Sequence, residues 1–207
     1  MMSLKKQKII CNAGYGKYLS PKLTSLSRST AAHSTLYIND TSSCTFQKNK
    51  SINKVYGNSL TQKHKVIKKS YHEDNNFYSV NASHNGYEKK FGYIHTRSIK
   101  ILKKNDKIYG HDELKKTKNC KNLLNYFVRF HIYPDTKIVK TIAGNSVLIS
   151  LSNGEGWTLQ SETNSFEIEK NIFLGNKNRI IKNESISIVG EITKEVISIK
   201  WVIERVS

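Results

Sequence analysis

From Asn125 onward the chain alternates: Tyr126, Val128, Phe130 and Ile132 fall on one side of an extended segment, and Phe127, Arg129, His131 and Tyr133 on the other. Successive side chains of a strand point to opposite faces, so a period of two predicts a strand. Both faces carry large side chains, which places it inside a sandwich. The final run repeats the pattern, with Ile197, Ile199, Trp201, Ile203 and Arg205 on one face. Residues 8–11 read as a short strand, and Leu36 and Ile38 alternate with Thr35 and Tyr37 as in a half-buried strand. Further strand-like runs cover 65–71, 77–82 and 93–102. Asp74-Asn75-Asn76, Asn85-Gly86, Gly144-Asn145, Asn153-Gly154 and a looser Thr163-Asn164 supply turns, since Gly and Asn tolerate the positive φ that tight turns require. Two stretches break the alternation. Residues 47–63 are polar and read as a loop or a frayed hairpin. Residues 103–122 carry Lys103, Lys104, Lys107, Lys115, Lys116, Lys118 and Lys121 around Gly110 and read as a solvated surface insertion. There is no sustained helical period, internal repeat or linker. Short strands in succession predict an all-β fold, an antiparallel β-sandwich spanning 1–207 as one domain, with no helix longer than about three turns.

Composition narrows the partners. With 37% hydrophobic residues, 11 Tyr and 7 Phe, the chain is too apolar and aromatic to be disordered, although its mean hydropathy is negative. A folded chain of this length buries about 70% of the surface that it exposes when unfolded. Lys and Arg outnumber Asp and Glu by 34 to 16, a net charge of +18. A field of that sign favours a polyanion: nucleic acid, acidic polysaccharide or an anionic surface. The abundance of Lys, Asn and Ile everywhere fits a background bias equally well. Specific nucleic-acid binding is not expected, for there is no zinc-finger spacing, RNP-like aromatic motif or basic helix. Cys11, Cys44 and Cys120 are odd in number and widely spaced, which supports neither a disulfide framework nor a thiolate zinc site; they read as buried or tolerated thiols. Lys5 and Lys6 precede only Ile9-Ile10-Cys11, too short for the apolar region of a signal peptide. No run approaches the roughly 20 apolar residues of a membrane span.

The chemistry converges on a few residues. Gly14-Tyr15-Gly16-Lys17 resembles a phosphate loop only superficially, without the earlier glycine or the Ser/Thr after Lys17. Ser29 or Ser34 beside His33 lacks the acid that a hydrolase triad needs. The informative segment is Arg28-Ser29-Thr30-Ala31-Ala32-His33-Ser34-Thr35-Leu36-Tyr37-Ile38, where small polar residues deliver one histidine to the start of an apolar strand. Together with Asn81-Ala82-Ser83-His84-Asn85-Gly86-Tyr87, Arg129-Phe130-His131 and Asn153-Gly154-Glu155-Gly156-Trp157, taken in this order, it resembles the heparinase II/III-like polysaccharide lyases, and only the C-terminal, supersandwich-like β-region of such an enzyme.

The resemblance implies β-elimination of an acidic, uronate-containing polysaccharide such as a glycosaminoglycan. A uronate carboxylate is neutralised, a base takes the α-proton and an acid assists the leaving oxygen. In the family the catalytic Tyr lies on an α/α toroid that precedes the sandwich, and a catalytic His lies in a His-x-Asp-like motif. Neither is present in these 207 residues, so the catalytic residues are unknown here and the chain is expected to be inactive alone, with an upstream toroid domain or subunit as partner. The counterpart of His33 binds zinc in zinc-containing members, with a second His and an Asp. Asn12 stands where that Asp would fall, and a neutral amide is a poor zinc ligand. Arg28, His84, Tyr87 and Arg97 become candidate substrate-binding residues, and His33 the candidate metal ligand. His64, His72 and His111 show no partner at useful spacing. A periplasmic or cell-envelope location would follow the family. The alternative is a non-catalytic module that presents cations and aromatics to a polyanion.

Overall fold

The computed structural model describes every residue except 1, 5–6, 17–18, 48–50, 52–58, 63, 120–122, 163–164, 177–178 and 207. Lys17, Cys120, Lys121 and the Thr163-Asn164 turn therefore lie outside the described residues. The elements run β1 (Met2–Leu4), β2 (Gln7–Cys11), α1 (Pro21–Leu26), a 3₁₀ turn (Thr30–Ala32), β3 (Leu36–Ile38), β4 (Thr45–Phe46), β5 (Leu60–Gln62), β6 (Val66–Glu73), β7 (Phe77–His84) and α2 (Glu88–Phe91). They continue through β8 (Tyr93–Leu102), β9 (Lys107–Lys116), β10 (Asn125–Ile132), β11 (Lys137–Lys140), β12 (Ser146–Ser150), β13 (Gly156–Ser161), β14 (Phe166–Asn176), β15 (Arg179–Glu191) and β16 (Val196–Arg205).

Two antiparallel sheets make the sandwich. One has the order β1-β2-β10-β15-β14, with β3 also paired to β10; the other has the order β11-β12-β13-β16-β9-β8-β7-β6. The inward faces of β10 and β16 meet where Phe130 packs edge-on against Trp201, ring centroids 4.9 Å apart. Around that contact Val128, Ile132, Leu159, Ile186, Ile188, Ile199 and Ile203 are all essentially solvent-free. The hairpins β11–β12 and β12–β13 turn at Gly144 and Gly154, whose φ values of 75° and 87° are left-handed conformations that favour glycine. Two helices add little. In α1, Ser20 caps the first turn by accepting from the Leu23 N–H, and Pro21 occupies the start; six residues are too few to show a period. None of the described helices is long and apolar enough to cross a membrane.

Two expectations are corrected. Residues 107–116 are not a surface insertion but β9, an interior strand paired to both β8 and β16. Its inward residues are Ile108, Gly110, Asp112 and Leu114, and a glycine and a carboxylate hide the apolar alternation. Gly110 is required there, for an added Cβ would lie 2.0 Å from the Trp201 ring. Tyr37 is buried rather than half-buried: it stacks on Phe127 at 4.9 Å, beneath the Arg129 guanidinium. The expected turn at Asn85-Gly86 is present, closed by the Glu88 N–H donating to the Asn85 carbonyl (3.1 Å), and leads β7 into α2. Residues 45–62 do contain a small hairpin, β4–β5.

Candidate functional site

The site sits where two strands share one edge of β10. β2 pairs at His131 and Ile132, β3 at Tyr126 to Val128. Between them the chain leaves the sheet, forms α1 and the 3₁₀ turn, and returns at this gap with His33 and Ser34. Ser34 fastens the return. Its N–H donates to Asn12 Oδ1 (2.9 Å), its hydroxyl donates to the Cys11 carbonyl and accepts from the His131 N–H, and its carbonyl accepts from Arg97 Nη1 (2.7 Å). That hydroxyl is committed to the backbone and is no nucleophile.

His33 ends the 3₁₀ turn in extended conformation, φ −118° and ψ 151°. It is half-buried, and burial lowers its pKa from the ordinary value, which favours the neutral imidazole. Its ring lines two hollows. One, of about 680 Å³, is walled by Asn12, Ser34, Arg97, Lys103 and Lys107; the other, of about 570 Å³, by Asn12, Tyr15, Arg28, Ser43, Cys44 and His64. Arg28 lies over the Phe46 ring at 4.8 Å. His33 is therefore a ledge between two hollows, with Arg28 on one side and Arg97 on the other.

Behind the ledge lies a buried polar network. Asp112 is wholly enclosed, and its two oxygens accept from four donors: His95 Nε2 (2.7 Å) and Arg97 Nε (2.7 Å) on Oδ1, and Arg97 Nη2 (3.0 Å) and Trp201 Nε1 (2.9 Å) on Oδ2. Burial alone would raise this carboxyl's pKa; Arg97 and His95 outweigh it and hold the group well below the usual carboxylate range. Two histidines extend the network in one direction. The Gly86 N–H donates to His84 Nδ1, so the His84 proton is on Nε2, which donates to His95 Nδ1 (3.1 Å), and the His95 proton is on Nε2, which donates to Asp112. His84 is held down to about 3, first by burial and then by the neighbouring His95, His64 and Arg97.

The structure thus brings Arg28, His33 and Arg97 to the ledge. His84 lies behind it with both ring nitrogens engaged. Tyr87 is fully buried, with its hydroxyl donating to the Leu36 carbonyl (3.0 Å). His95 and Asp112 were not legible in the sequence: they come together only through the β8–β9 register, in which Arg97 faces Asp112. His64 gains a partner that spacing could not show, its Nδ1 lying 2.9 Å from Cys44 Sγ. The described residues around His33 do not make a zinc site. Among the described residues no three His, Cys, Asp or Glu side chains gather, and Asn12 Oδ1 is already occupied by the Ser34 N–H.

The family described as heparinase II/III-like, C-terminal, matches residues 1–202. No curated protein matches the sequence. Among solved structures, the heparan sulfate lyase HepC from Pedobacter heparinus superposes with a TM-score of 0.75 at 17% identity, covering 98% of this chain and 29% of that one. A heparinase III gives 0.67 at 15% identity, with 97% and 28% covered. At such identities the likeness is one of fold, and this chain spans less than a third of each relative's length.

Proposed function

The chain belongs to the heparinase II/III-like C-terminal family, and from that premise we propose that the His33 ledge is the sandwich-side wall of a cleft for β-elimination of a uronate-containing polysaccharide. One observation carries the reading: a neutral imidazole that no described residue hydrogen-bonds stands between two arginine-bearing hollows. A neutral imidazole can take or return a proton, and a guanidinium can pair with a carboxylate. The two arginines differ. Arg97 spends three N–H groups on Asp112 and Ser34, so its charge is matched and it mainly holds the ledge in place. Arg28 lines the other hollow, over the Phe46 ring, and is the candidate to meet an anionic sugar there.

Elimination also needs an oriented acid and base at one sugar unit. Asn12 and Ser34 are committed to the backbone, so at the ledge itself His33 is the acid-base group presented among the described residues, which favours the second reading of a binding module when the chain acts by itself. Purified chain should bind heparin-like or alginate-like polymer in a salt-sensitive way and show no rise in the absorbance of unsaturated product. Each missing acid or base group costs about 10²- to 10⁴-fold. Turnover that disappears in His33→Ala would overturn the reading of an incomplete site.

A further inference from the structure

The eight-stranded sheet has a second face, turned away from the core and from the ledge. There the registers align two rows of outward side chains: Ser79, Lys100, Tyr109, Val202 and Gln160 in one, and Asn81, Ser98, His111 and Lys200 in the other. The rows floor a groove of about 740 Å³. Crossing β7, β8, β9, β16 and β13 at about 4.8 Å per strand, the longer row extends about 19 Å.

We propose that this groove is a second binding site, for a short stretch of acidic oligosaccharide; the choice of ligand class rests on the function proposed above. Three features fit a sugar acid. Tyr109 is 40% exposed in the middle of the row, with the Lys107 Nζ 5.4 Å from its ring centroid, so that an aromatic ring and a cation together meet a sugar acid. Lys100 and Lys200 stand two strands and one row apart, about 12 Å, on either side of Tyr109, as would suit anionic groups spaced along a chain. Hydroxyl-binding groups surround them. The Asn81 amide donates to Ser98 Oγ (2.6 Å), which holds both side chains in place along the groove. His111 Nε2 lies 2.8 Å from Ser198 Oγ, which fixes the ring at the groove wall. One carboxylate opposes the ligand: Glu162 meets Lys200 at 3.3 Å, but both side chains are about two-thirds exposed, and so open a pair is weak enough for Lys200 to exchange partners.

The test is calorimetric titration of the full chain with a heparin-derived tetrasaccharide and with a neutral cello-oligosaccharide. Wild-type chain should bind two equivalents of the acidic probe and neither of the neutral one. Lys100→Ala/Tyr109→Ala/Lys200→Ala should lose one equivalent and keep the other; all three side chains are on the surface, and an unchanged thermal midpoint confirms the fold. Arg28→Ala/His33→Ala should keep the groove equivalent. An isotherm unaltered by the triple substitution, equal uptake of the neutral probe, or loss of all binding in Arg28→Ala/His33→Ala overturns the groove site. An isotherm unaltered by Arg28→Ala/His33→Ala, with the groove equivalent lost in the triple variant, overturns the ledge instead.

Discussion

Replacing Asp112 by Asn lowers the stability of the chain by about 3–5 kcal/mol, the cost of leaving a buried charge without its partner. The carboxylate accepts from His95, Trp201 and two nitrogens of Arg97, and no solvent reaches it. An asparagine offers one oxygen and turns an NH₂ group toward donors, so the Arg97 guanidinium stays largely buried and uncompensated. The loss extends to the ledge, because Arg97 also holds the Ser34 carbonyl. Urea denaturation of the two proteins measures the difference. A change below about 1 kcal/mol would show that the network is not what secures β8 to β9 and the ledge.

Acidification has the second large effect, and its sign follows from two histidines. His84 is lowered to about 3, as described, and His131 to about 4, by burial first and then by Arg129 and His33, with its bond to the Ala31 carbonyl acting in the opposite sense. Each is neutral in the fold. His131 Nε2 donates to Ala31 and its Nδ1 accepts from the Asn171 amide, so a second proton displaces a hydrogen bond. The unfolded chain takes up protons near pH 6.5, the folded one only near 3 to 4. Stability is therefore full above about pH 7 and falls as the pH drops below about 6.5, by up to ~1.4 kcal/mol per pH unit for each group. At pH 5 the two together remove roughly 4 kcal/mol. Denaturant midpoints at pH 7.5 and 5.0 check this, and equal midpoints would contradict the buried, neutral assignment.

Much of the sandwich is legible in the sequence because strand alternation is a local signal. β10 and β16 declare themselves through four or more inward apolar side chains, and the β11–β12 and β12–β13 hairpins through Gly144 and Gly154. β9 does not, since its inward face spends one position on the Gly110 contact with Trp201 and another on Asp112. Both are sensible only when the neighbouring strand is known. The site divides in the same way. Arg28 and His33 are close in sequence and stay close in space, whereas the Asp112 network joins residues from β7, β8, β9 and β16. Tyr37 reads as an outward residue because a strand pattern cannot show that Phe127 and Arg129 will cover it.

The central claim is that His33 is a neutral imidazole, with no hydrogen-bond partner among the described residues, on a ledge that faces an acidic sugar. NMR titration of the His33 ring against pH, in the free chain and in the chain saturated with a heparin-derived tetrasaccharide, tests it most directly. The free ring should titrate below the ordinary histidine value, since burial disfavours its charge. Bound uronate or sulfate at the ledge should raise that midpoint, because a nearby anion stabilises the imidazolium, and added salt should reverse the rise. A free midpoint at or above about 6.5, or one that saturating oligosaccharide leaves unmoved, would contradict the account.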